Sequence, residues 1–277
     1  MRLYLRFISA YLKSLAEYRF LFIMDMFLQI VTYALELAGI WILLNKFNNL
    51  MGWTFDELLL VYLFDLCSYS LAGMFVKHPM LDMETMVRTG TFDGILTKPI
   101  NPLFHVIARQ FQHGFIGHLT MCLFLFPYCF NRLGISLNVL GILCFVVMLL
   151  GATLIQAAFM IVAGSMSFLI VEAFIYDVRR IIKYPISIYP FALQLGLTFV
   201  VPYAFVNFYP AQLFLNKGGD TLLHPALVLM TPVIGIVLVL LAVRLWYFLF
   251  IYMFTFIKFL VEFLYKRFVF LRRSLCI

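Results

Sequence analysis

Three carboxylates, Asp25, Glu36 and Asp65, stand within or beside long apolar runs of a 277-residue chain. An ionised carboxylate at bilayer depth costs about 2.5–3.5 kcal/mol on insertion scales, so each of them needs a partner or a purpose. Asp25 and Glu36 are eleven residues apart, about three helical turns, and share one helix face. Counted inward from the outer ends of their spans, Glu36 and Asp65 fall at similar depth. Together they could attract a cationic drug or lipid headgroup along a substrate pathway. The alternative is that they are protonated, or bonded to nearby Tyr, Thr or Arg side chains.

Other reactive side chains do not assemble into a recognisable catalytic set. None of His78, His105, His113, His118 and His224 pairs at the i, i+3 or i+4 spacing of a helical ligand set, and hydrogen bonding at the interfaces explains them better than a metal. The cysteines Cys67, Cys122, Cys129, Cys144 and Cys276 are odd in number and lack C-x-x-C spacing, which suits packing. An intramembrane hydrolase is weighed by its motifs, and neither G-x-S-x-G nor H-E-x-x-H occurs. Ser165 and Ser167 beside Gly164 suit close helix packing. Without a G-x-x-x-x-G-K-[ST] phosphate loop, the chain has no recognisable means of hydrolysing ATP by itself. No cofactor, metal or nucleic acid is expected on this chain.

The elements that must position these residues follow from composition: 65% of residues are hydrophobic and 12% charged. That balance belongs to an integral membrane protein. About 20 apolar residues cross the hydrocarbon, and runs near 20–44, 57–77, 113–133, 138–170, 191–213 and 225–250 have that length. The expected fold is therefore all-α, a single membrane domain over 1–277 with about six transmembrane helices. Trp41, Trp53 and Trp246 fall near span ends, where interfacial rings settle. Residues 1–19 read as an interfacial helix, with Leu5, Ile8, Leu12 and Leu15 on one face and Arg2, Arg6 and Lys13 on the other. A soluble amphipathic helix is the alternative there.

Cytoplasmic termini place Lys77, Arg88, Lys98, Arg109, Arg179, Arg180, Lys183 and the basic tail at 251–277 inside, leaving Lys46, Arg132 and Lys217 outside. This asymmetry favours an even number of crossings. The run 245–265 reads as a continued or interfacial helix, because crossing there would export Lys266, Arg267, Arg272 and Arg273. Lys258 and Glu262, four apart, could pair on its polar side. Between the last two spans, Pro210, the turn at 216–220 and Pro225 predict short broken helices and partial re-entry from the outer side.

The loop at 78–111 carries the most structured signal. Met80, Leu81, Met83, Met86 and Val87 alternate with Asp82, Glu84 and Arg88 ahead of Gly90, which predicts a short amphipathic helix with a glycine stop. Phe92 and Asp93 open another turn, Lys98 and Pro99 end it, and Asn101 and Pro102 supply an N-cap and a first-turn proline. The result is a rigid cytoplasmic elbow. Its apolar knobs could dock into a groove on a soluble partner, or the segment could be an ordered loop lying along the membrane.

The segment G-T-F-D-G-I-L-T-K-P-I-N-P-L-F at 90–104, followed by K-Y-P-I-S-I-Y-P at 183–190 and F-V-V-P-Y-A-F-V-N-F-Y-P-A at 199–211, resembles the type-2 ABC exporter permeases, in their daunorubicin-resistance-like branch. The likeness covers roughly residues 1–250. It implies a six-span permease in a bacterial-type plasma membrane, working as a dimer with a second permease subunit, identical or related, above two copies of an ATP-binding subunit that carries ATP and Mg. It also implies that the first cytoplasmic loop is the coupling helix, here at 80–102. Glu84, Arg88, Phe92, Asp93 and Lys98 are then the ATPase contact set, with Gly90, Pro99 and Pro102 shaping it. The aromatic-rich spans favour an amphipathic substrate. The last two dozen residues depart from the short end expected of such a permease, and a non-transporting scaffold is the rival to transport.

Overall fold

The computed structural model describes residues 19–47, 52–168, 184–215 and 225–274, with side chains described except at 19, 21, 43–47, 225–226 and 257–274. The N-terminal interfacial helix, the basic residues Arg179, Arg180 and Lys183, the turn at 216–220 and the Lys258–Glu262 pairing lie outside what is described. Among the described residues all regular structure is helical. Four helices among the described residues are long and apolar enough to cross a membrane: α1 (Arg19–Phe47), α2 (Phe55–Phe75), α8 (Val139–Met166) and α11 (Thr231–Ser274). Between α2 and α8 lie α3 (Lys77–Leu81), α4 (Met83–Arg88), α5 (Asp93–Leu96), α6 (Pro102–Arg109) and α7 (Phe115–Arg132). The two remaining α-helices among the described residues are α9 (Phe191–Leu195) and α10 (Phe208–Leu215).

Local chemistry fixes several boundaries. At the start of α2 the Glu57 carboxylate accepts from the Thr54 N–H at 2.9 Å, and at the start of α8 the Asn138 side chain accepts from the Gly141 N–H at 2.8 Å. Each bond satisfies a polar group at a helix entry that would otherwise lack an intrahelical partner. Helix α7 is 18 residues long and carries Pro127 inside it. Helix α11 runs for 44 residues, about 66 Å at 1.5 Å per residue. That is roughly twice the hydrocarbon thickness, so one end must project beyond it. The run 245–265 is thus a continuation of the preceding helix.

The fifth run, 191–213, is not one continuous helix. It comprises α9, a π-helical turn at Gly196–Val200, a 3-10 turn at Tyr203–Phe205 and α10. Pro202 has no N–H and pushes the residue before it out of helical backbone, and Val201 indeed sits at φ −119°, ψ 83°. Past the break the chain is buried in protein, with Tyr203, Ala204, Phe205, Val206, Phe208 and Tyr209 all at most 4% exposed, whereas Phe191, Leu193, Phe199 and Val200 ahead of it are 52–80% exposed.

Helix α2 forms the axis, with 89% of its apolar window buried against 6% for α1. Two apolar clusters stack along α2. One joins its first half to Phe126, Phe130, Met148, Ile155 and the broken segment. The other joins Tyr69, Ala72 and Met74 to the residues of α3–α6 and to Ile161, Phe168 and Trp246. Helices α8 and α11 meet where a Cβ on Gly151 would lie 2.7 Å from Pro232 Cα and one on Gly235 2.5 Å from the Gly151 oxygen, a backbone approach that only small residues allow. Of the three tryptophans, Trp41 is exposed, but Trp53 and Trp246 are 1% and 0% exposed. Those two are core rings, not interfacial ones: Trp53 donates to Ser187 Oγ at 3.0 Å, and Trp246 stacks on Phe250.

Candidate functional site

Helices α3 to α6 form an elbow between α2 and α7, built by short-range signals. Gly90 takes φ +73°, a left-handed conformation that ends α4 and that a side chain would resist. The chain then turns back, the Phe92 N–H donating to the Met86 carbonyl at 3.1 Å and the Asp93 N–H to the Gly90 carbonyl at 3.1 Å. Pro102 occupies the first turn of α6, where Asn101 Oδ1 accepts from the Phe104 N–H at 3.1 Å. The Asn101 side chain also receives the Tyr247 hydroxyl of α11 at 2.6 Å. A polar clasp holds the two ends of the elbow together, with Gln110 Nε2 donating to Asp82 Oδ2 at 2.8 Å and Gln110 Oε1 lying 2.7 Å from His78 Nδ1.

The inner face of the elbow is fastened to α8 and α11. Met80, Met83 and Met86 are buried, so these apolar knobs point into the protein and not toward a partner's groove. Met80 rests on Gly164, where an added Cβ would lie 2.6 Å from its sulfur. Phe92, expected in the contact set, is 2% exposed. Its ring lies within 5.8–6.4 Å of the rings of Phe168, Phe250 and Trp246. It is an anchor, because an aromatic ring gains more from a buried aromatic cluster than from water.

The outer face carries the remaining expected residues. Arg88, Gly90, Asp93, Lys98 and Pro99 are exposed, and Glu84 and Pro102 are partly so. Arg88 Nη1 stands 4.0 Å from Glu84 Oε1 one turn away, a surface pair that holds neither side chain strongly. Lys98 Nζ lies 3.4 Å from His105 Nε2. A lysine ammonium can only donate, so this contact requires a ring nitrogen without a proton. Burial first, then the Lys98 and Arg109 charges, hold the His105 pKa below its ordinary 6.5, which keeps the ring neutral.

The three acids are not brought together. Asp25 on α1 lies 3.4 Å from His113 Nε2 ahead of α7, and Phe22 stacks on that same ring. Glu36 accepts from the Tyr62 hydroxyl at 3.1 Å. Asp65 is 1% exposed and accepts from Tyr203 Oη at 2.7 Å and Gln156 Nε2 at 3.0 Å. Each acid thus joins two or more elements; Glu36 and Asp65 are bonded to tyrosines, as the second alternative expects, while the partner of Asp25 is a histidine that it did not name. Sequence reasoning missed Gln156 and Tyr203. Gln156 could have been singled out as the one amide inside the otherwise apolar α8; Tyr203 lies within the motif at 199–211, but nothing there set its hydroxyl apart from that of Tyr209.

A family model described as ABC-2 family transporter protein matches residues 30–257. No curated protein and no solved structure matches the chain.

Proposed function

From the chain's membership of the ABC-2 family of transporter proteins, which makes it a multi-pass membrane permease, we propose that it is the transmembrane subunit of an ABC exporter. In this reading its α3–α6 elbow is the coupling segment. A separate P-loop ATPase in two copies binds ATP and Mg, and a second permease, identical or related, completes a two-fold pathway. The observation that carries this reading is the two-sidedness of the elbow: Arg88, Asp93 and Lys98 stand exposed, while Met80, Met83 and Phe92 on the same short segment are buried against the spans. A force applied to the charged face is delivered to α8 and α11. Closure of the ATPase pair would tilt those helices and exchange inward-open and outward-open states, through its differential affinity for them.

The proposed contact set is Glu84, Arg88, Asp93 and Lys98, shaped by Gly90, Pro99 and Pro102. Charge asymmetry supports placing the elbow and both termini in the cytoplasm, with the chain in a plasma membrane of bacterial type. Placement in the daunorubicin-resistance-like branch rests on the motifs at 90–104, 183–190 and 199–211. The substrate proposed is amphipathic, a drug, lipid or peptide. A non-transporting scaffold would tolerate substitution on the outer face of the elbow.

The test is purification of the tagged chain from its own membrane in mild detergent, with identification of stoichiometric partners. The proposal expects a P-loop ATPase, lost when Arg88→Glu and Asp93→Lys are combined. Recovery of the chain alone from the parent membrane would contradict it.

A further inference from the structure

A cleft of about 610 Å³ opens between α2, α7 and α8, within the roughly 300–1,000 Å³ range of ligand sites. Its wall is apolar, formed mainly by Leu119, Phe126, Phe130, Phe145 and Leu149, with Cys67 and Cys122 deep within it and Asn131 at the end away from the elbow. Leu119 and Asn131 are twelve residues apart on α7, a rise of about 18 Å. Half of a bilayer's hydrocarbon is about 15 Å, so the cleft has the depth of one leaflet. Two residues of its wall, Leu123 and Ile142, are 70% and 50% exposed, so the opening faces sideways, where acyl chains lie.

A cation stands at the headgroup end. Arg132 follows Asn131, its side chain is 61% exposed, and its Nε lies 3.7 Å from Asp56 Oδ2. A guanidinium has five N–H donors, so this one contact leaves capacity for a phosphodiester. Water would find few partners along the aromatic wall, whereas a hydrocarbon chain recovers dispersion contacts that a void forfeits. The geometry points to a phospholipid site: one acyl chain of the leaflet remote from the elbow fills the cleft, with its phosphate at Arg132 and Asn131. Because Asp56 offsets part of the Arg132 charge, the chain supplies most of the affinity and the headgroup sets the depth. The site depends on the chain lying in a bilayer and not on any ATPase, so it can fail while the exporter reading stands, and the reverse.

The probe is a phosphatidylglycerol carrying a diazirine near the methyl end of one acyl chain, diluted into phosphatidylcholine nanodiscs around the full chain. After illumination, adducts on the peptides containing Leu119, Cys122 and Leu149 should exceed those on the exposed face of α1, around Phe27 and Leu35, at least fivefold. Ile142→Trp, or Leu123→Trp on the same opening should the first variant fold poorly, should remove that excess and leave α1 labelling unchanged. Arg132→Gln should lower cleft labelling by phosphatidylglycerol at least twofold. Adducts spread in proportion to exposure, an excess that neither tryptophan removes, or labelling abolished by a second copy covering the cleft on dimerisation would overturn the assignment.

Discussion

Asp65, at 1% exposure, receives hydrogen bonds from α8 and from the broken segment through Gln156 and Tyr203, which makes it a joint between three elements. Interhelical polar contacts in membranes are worth about 0.6 kcal/mol on average and at most about 1.7. Asp65→Asn keeps an acceptor for Tyr203 and should unfold in a detergent titration within about 1 kcal/mol of the parent, whereas Asp65→Leu should lose about 1–3 kcal/mol. Loss of transport in Asp65→Asn at unchanged stability would instead restore a charge-recruiting role. His105 supplies a pH effect outside the membrane-spanning helices. Its folded pKa is depressed, so the folded chain binds fewer protons than the unfolded one and stability falls as pH drops below the ordinary 6.5. Thermal unfolding between pH 7.5 and 5.5 should therefore show a steeper fall in Tm for the parent than for His105→Gln, which still offers Lys98 an acceptor; parallel curves would rule the effect out.

At the scale of elements, the elbow acts as a lever only if its inner face stays fixed. Phe92→Ala should cost about 3–5 kcal/mol if the aromatic cluster behaves as a packed core, and Gly164→Leu about 1–3 kcal/mol by overpacking the seat of Met80. Both should speed amide exchange across 83–109 while leaving α1 unchanged; uniform exchange would mean that the elbow is not held by these contacts. Much of the elbow was legible, because Gly90, Asn101 and Pro102 act within four residues of themselves and the local backbone obeys them. The inward turn of Phe92 was not, since its partners Phe168, Trp246 and Phe250 lie 76 or more residues away, and sequence spacing along the loop cannot show which face the spans will cover. The break in the fifth run was not legible for a related reason: hydropathy registers Phe191 to Leu213 as apolar but is blind to the missing N–H of Pro202.

At the scale of the molecule, α2 is enclosed while α1 presents Phe20, Ile23, Phe27, Leu28 and Leu35 at 57–73% exposure. Such a face is at home in lipid or against another apolar surface. Composition made the membrane class and the all-helical architecture plain, because few charges among many apolar residues leave no other solvent for the chain. The pairing of acids with Tyr62, Gln156, Tyr203 and His113 could not be read that way, as each bond crosses between elements whose packing only the fold supplies. The proposed docking of an ATPase on the elbow is tested by photo-crosslinking residues placed singly at Thr89 and Asp93 on the elbow, and at Tyr128 and Val139 near the far end, in native membranes. Adducts with a P-loop ATPase are expected from positions 89 and 93 alone. Adducts absent from those two positions, or equally frequent from 128 and 139, would contradict it.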